Sequence, residues 1–176
     1  MKAQFGGIAA ILALAPGTAG CALLGGTVLD TGTAESEITD YLNNRYASAG
    51  ITVDSVSCDP GTNRPAPGDT FTCDAWVRGT TVPVEVTVMD DDMRIRFAPT
   101  KKLYDLAALG PNIVAGVEKR IGRPVTVDCG TGFTAAAPGE SFPCTVASEA
   151  DPTDRLKIDY KVGPMTGEDR WESRDA

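Results

Sequence analysis

Apolar residues along the chain are spaced in two ways, which divide it into helical and extended stretches. Ile38, Leu42 and Tyr46 recur every fourth residue with Tyr41 beside them, forming one apolar helical stripe. Thr33 is expected to cap that helix, Glu35 and Glu37 suit the positive end of its dipole, and Gly50 ends it. A second helix is predicted over Leu106 to Ile121, with Ile113, Val117 and Ile121 at the same spacing ahead of Gly122. Pro111 lies inside it and is expected to kink or restart the helix, leaving residues 103–109 as a separate turn.

Elsewhere the period is two. Phe71, Cys73, Ala75 and Val77 alternate with Thr72, Asp74, Trp76 and Arg78; Val82, Val84, Val86 and Val88 alternate with Pro83, Glu85 and Thr87. Met93, Ile95 and Phe97 alternate with Arg94 and Arg96. These predict three half-buried antiparallel strands, turned at Gly79-Thr80-Thr81 and at Asp90-Asp91-Asp92. The pattern returns more weakly over residues 142–148 and 156–162, followed by a short strand around Trp171. The fold class is α+β, a helix laid on one face of a small sheet.

The chain also repeats itself. Ala-Pro-Gly-Asp-Thr-Phe-Thr-Cys at residues 66–73 returns as Ala-Pro-Gly-Glu-Ser-Phe-Pro-Cys at residues 137–144, 71 residues on. An earlier cysteine precedes each string at the same distance, Cys58 before Cys73 and Cys129 before Cys144. Two tandem modules are therefore expected, residues 34–100 and 101–176, each with one helix, a short strand running into the first cysteine, a Pro/Gly loop and a meander. The first loop holds Pro60, Gly61, Pro65, Pro67 and Gly68 and few apolar side chains, so a disulfide is expected to pin it. Closing a loop of that length contributes about 3 kcal/mol, a large share of the stability of so small a core. Histidine is absent and no Cys-x-x-Cys occurs, which argues against zinc and thioredoxin-type chemistry.

The amino terminus reads as a targeting segment. Lys2 precedes an apolar run over residues 5–15, too short to span a bilayer and of the length of a signal-peptide core. Thr18-Ala19-Gly20-Cys21 then resembles the lipobox of bacterial lipoproteins, which implies lipidation of Cys21 and a membrane anchor; ordinary cleavage after Ala19 and an uncleaved anchor are the alternatives. The chain has 5 cysteines, and Cys21 is the one the modules leave over. Residues 1–20 are expected to be the signal peptide and 21–33 a tether, placing the protein on the outer face of the cell membrane or, without the anchor, in the medium.

The motif of a helix, Val-x-Cys, a Pro/Gly loop and Gly-acid-x-Phe-x-Cys is carried by Val56-Ser57-Cys58 with residues 68–73, and by Val127-Asp128-Cys129 with residues 139–144. It resembles a domain of unknown function found singly or in tandem in actinobacterial exported proteins and lipoproteins. The resemblance implies a cell-envelope location and brings no activity, substrate or catalytic residue.

Composition narrows the function. Net charge is −8, from 16 Lys and Arg against 24 Asp and Glu, which disfavours nucleic acid as a partner. The lack of histidine removes Ser-His and Cys-His nucleophile pairs. Trp76 is expected on the sheet face away from the helix, either packed on the other module or forming part of an exposed binding surface. Arg94 and Arg96, expected to share a sheet face, form with Lys101 and Lys102 the basic cluster, either a solvated edge or a contact for an anionic polymer or headgroup. Asp90-Asp91-Asp92 reads as an acidic turn, without the spacing of a calcium loop. The expected function is non-enzymatic binding of an envelope protein or glycan, with no cofactor or metal. A passive spacer, or a wall hydrolase working through paired carboxylates, are the alternatives.

Overall fold

The computed structural model of the protein describes residues 28–174. The expected signal peptide, Cys21 and the first part of the tether lie outside the described residues. Helix α1 spans Thr31–Tyr46 and continues through a 3-10 turn, Ala47–Ala49, to Gly50 in the left-handed conformation. Its cap is Asp30 rather than Thr33: the Asp30 carboxylate accepts from the Thr33 backbone N–H at 3.2 Å and the Thr33 hydroxyl at 2.8 Å. The helix therefore begins inside the span expected as tether, and Leu29 before it is buried.

Strands β1 (Ser55–Cys58), β2 (Thr70–Val77), β3 (Thr80–Val88) and β4 (Ile95–Pro99) form one antiparallel sheet in that order. Cys58 stands directly opposite Cys73 in the β1–β2 register, and the two are joined as a disulfide. The β2–β3 turn is two residues long, Arg78-Gly79, both at positive φ, and not the expected Gly79-Thr80-Thr81. β4 begins at Ile95, so Met93 and Arg94 belong to the turn; Met93 sits at φ 61°, which breaks the alternation there.

The chain then crosses into a short strand β5 (Lys102–Asp105) and helix α2 (Leu106–Ile121). Residues 103–109 are thus not a separate turn, and Pro111 neither stops nor restarts the helix. The residue before it is Gly110, which has no β-carbon to clash with the proline ring. Asp105 caps the start through the N–H groups of Ala107 and Ala108. Strands β6 (Val125–Asp128), β8 (Ser141–Ser148), β9 (Arg155–Lys161) and β10 (Arg170–Ser173) make a second sheet in the order β10-β9-β8-β6, matching the first, with a Cys129–Cys144 disulfide. Two stapled α+β modules result.

The recurring Ala-Pro-Gly-acid string has one structural use in both modules. The acid folds back to accept from the N–H of the alanine, Asp69 from Ala66 at 2.7 Å and Glu140 from Ala137 at 2.6 Å. Gly68 and Gly139, at φ 92° and 89°, then donate to the carbonyls of Val88 and Val162, at or just past the end of the meander's second strand. The turn is latched to the sheet on the side opposite the disulfide's first cysteine.

Strand β7 (Phe133–Ala136), which the residue pattern does not announce, lies within the loop closed by Cys129–Cys144 and pairs with β5 as a two-stranded ribbon. Leu103, Phe133 and Ala135 on one face pack onto the first module's core of Ile38, Leu42, Val82, Val84 and Val86. Tyr104 and Ala136 on the other face belong to the second core, with Val117, Val146 and Ile158. The ribbon is one layer shared by both modules. Thr80 adds a hydroxyl hydrogen bond to the Phe133 carbonyl at 3.0 Å, and the Arg78 guanidinium lies 5.6 Å from the Phe133 ring centre.

Candidate functional site

Trp76 lies on the outer face of the first sheet between Ser55 and Thr81, and is 44% exposed. The expected packing against the other module does not occur, because the second module is joined through the inner face. Arg96 is exposed on that same outer face, opposite Thr87. Arg94 does not share it: its guanidinium pairs with Asp90 at 2.6 Å within the turn. Asp90 also accepts from the N–H groups of Asp92 and Arg94, so the acidic run is a turn organised by its first carboxylate. Burial works against that ionisation, but these bonds and the Arg94 charge hold Asp90 below the ordinary carboxylate range.

Lys102 leaves the basic cluster altogether. Its ammonium reaches Asp169 at 2.8 Å and the Gly167 carbonyl at 2.9 Å, both side chains largely buried. Asp169 also accepts from Tyr104 at 2.9 Å, Tyr160 at 3.1 Å and the Gly163 N–H at 2.8 Å. Burial alone would raise this carboxyl, yet Lys102, the Gly163 N–H and the two phenols outweigh it and lower it. Burial first, and the Asp169 carboxylate with it, push both tyrosine hydroxyls above the ordinary phenol range. Four donors fill the acceptor sites of one carboxylate. The node fastens β5 to the segment between β9 and β10, with the carboxylate oxygens taken up by these donors. The sequence pattern puts Lys102 in a basic cluster, either a solvated edge or a contact for an anionic polymer or headgroup, and gives no sign of Asp169, which stands 67 residues away.

Among the described residues, clefts of similar size lie one on each module. One, of about 480 Å³, lies where Val28, Leu29 and the first turns of α1 meet Met93, Arg94 and Ile95. The other, of about 510 Å³, lies on the second module between the end of α2 and strands β9 and β10, floored by Ile121, Leu156, Ile158 and Trp171. Arg120 stacks its guanidinium 5.1 Å from the centre of the Trp171 ring, and Glu172 stands at the rim. Among the described residues no group of three or more Asp, Glu or Cys is placed to hold a metal ion. No described helix is long and apolar enough to cross a membrane.

The first module, with its Val-Ser-Cys strand, pinned loop and Gly-Asp-x-Phe-x-Cys latch, is the part that relates to a known family. Residues 16–93 match the model of a domain of unknown function, DUF4333. The DUF4333 match takes in α1, β1, β2 and β3, and ends in the turn before β4. No curated protein and no solved structure matches the chain. The match to DUF4333 brings no chemistry, so the functional reading rests on the residues.

Proposed function

We propose that the protein is exported and lipid-anchored through Cys21, and that it serves in an actinobacterial cell envelope as a non-enzymatic binding protein built of two copies of the DUF4333-type domain. The observation that carries this reading is the cysteine pairing. Cys58–Cys73 and Cys129–Cys144 use four of the 5 cysteines and leave Cys21, which follows the apolar run and Thr18-Ala19-Gly20. Structural disulfides belong to oxidising compartments, and a spare cysteine at such a place is the acceptor that lipidation needs. Support for a second domain copy comes from the matched strand order and from the latch that both Ala-Pro-Gly-acid strings build. Binding rather than catalysis is favoured because, among the described residues, the Asp169 node has its acceptor sites filled, while the second module has an apolar groove between α2, β9 and β10.

The test is the intact mass of the protein recovered from membranes and from culture fluid of an actinobacterial host, before and after reduction and alkylation. A mature chain beginning at Cys21 with added acyl mass, and with four thiols that alkylate only after reduction, is the expected result. A soluble chain beginning at Gly20 would remove the anchor, and thiols free without reduction would remove the oxidising location.

A further inference from the structure

Equivalent positions in the two modules follow from the registers. Val146 faces Leu156 as Ala75 faces Val82, and Ile158 faces Ser173 as Val84 faces Pro99. Val82 and Pro99 are buried, whereas Leu156 is partly exposed and Ser173 exposed. The first module owes its cover to the β5–β7 ribbon, which sets Leu103, Phe133 and Ala135 on its core. On the second module the matching surface is the open groove of Ile121, Leu156, Ile158 and Trp171.

We infer that this groove receives an extended apolar segment of a partner protein, seated as the β5–β7 ribbon is seated on the first module, with an aromatic and an aliphatic side chain turned inward. The intramolecular interface supplies the template: a two-stranded ribbon with Leu and Phe on one face, and charges at the rim where Arg120 and Glu172 stand. A second copy is the poorer occupant. Its corresponding ribbon is the segment before α1 with the first disulfide loop, where Leu29 N–H donates to the Asn63 carbonyl at 3.0 Å. By their distances from the helix caps and first cysteines, Val28, Thr62 and Arg64 there replace Leu103, Phe133 and Ala135. Thr62 and Arg64 are exposed and polar, so that end is closed to stacking in the manner of a capping repeat.

This inference deepens the binding reading and rests on it. The probe is a synthetic hairpin in which an Asn-Gly turn joins residues 101–105 to residues 133–137, so that Leu103, Phe133 and Ala135 share a face. It is titrated into the oxidised chain carrying Trp76→Phe, which leaves Trp171 as the sole indole of the original 2. A saturable shift of Trp171 emission is expected, and a Phe133→Ala hairpin binds at least about tenfold more weakly. Leu156→Asp in the chain abolishes the response; if that variant fails to fold, Ser173→Arg at an exposed position obstructs the groove instead. No saturable response, or an equal response to the Phe133→Ala hairpin, overturns the inference. Sedimentation of the chain alone is expected to show a monomer, and self-association that Leu156→Asp abolishes would give the groove to a second copy and overturn the partner assignment. None of these readouts depends on lipidation or export, so failure of the envelope reading and failure of the groove are separable.

Discussion

Gly110 of α2 lies so close to the backbone of Val127 in β6 that a β-carbon on it would overlap the Val127 carbonyl oxygen. Helix and sheet touch there without a side chain between them. Gly110→Ala gains about 1 kcal/mol of helix propensity but forces the helix off the strand, so a net loss of about 2 kcal/mol is expected. Gly116, six residues on, is the internal control: a β-carbon added there would meet the indole nitrogen of Trp171 at 3.8 Å, an ordinary contact. Gly116→Ala is expected to stabilise by up to about 1 kcal/mol. Urea midpoints of the two single variants should move in opposite directions.

The Cys129–Cys144 bridge closes the loop that contains β7, so its removal acts on both cores. Cys129→Ser with Cys144→Ser is expected to cost about 3 kcal/mol. In deuterium exchange, amides of β3 around Thr80 and Val82 in the first module should lose protection although the lesion is in the second. Exchange confined to the second module would show that the ribbon does not transmit it.

The Asp169 node gives the protein a dependence on pH at both ends. The folded carboxyl is depressed below its usual 3.8, so its stabilisation is fully present above about pH 4 and is lost as pH falls further. Tyr104 and Tyr160 are raised above the usual 10.0, so they stabilise fully below about pH 10 and cease to as pH rises beyond it. The melting temperature should be flat between these limits and fall outside them. Asp169→Ala, which strands a lysine, two phenols and an amide, is expected to cost about 3 kcal/mol at neutral pH and to blunt the acid limb.

Trp76 stands 44% exposed on the outer face of the first sheet, away from both cores. Trp76→Thr should change stability by less than about 0.5 kcal/mol. A larger loss in the urea midpoint would mean that the covered part of the indole stabilises the outer face of the sheet.

Periodicity made the helices and meanders legible, because each has one wet face and one dry one. The β5–β7 ribbon was not legible for the same reason: Leu103 and Phe133 enter one core and Tyr104 and Ala136 the other, so no polar face remains to mark an extended strand. The start of α1 was misplaced because Asp30 and Thr33 are both good capping residues, and only the hydrogen bond from the Thr33 N–H distinguishes them. Pro111 was read as a break because its effect depends on Gly110, whose missing side chain both spares the proline ring and admits Val127. The cysteine pairing was readable from equal spacing, while the Asp169 node brings together residues with no periodic relation.

A chain made from its amino end completes α1 and the first sheet by Pro99, yet Leu103, Phe133 and Ala135 have still to follow. Until residue 135 has emerged, Val82 and its neighbours lack the cover of Leu103, Phe133 and Ala135. The first module is thus the earlier one to be synthesised and the later one to be sealed. The Cys129–Cys144 bridge, which closes the loop holding the ribbon's second strand, thus binds together residues that cover both cores.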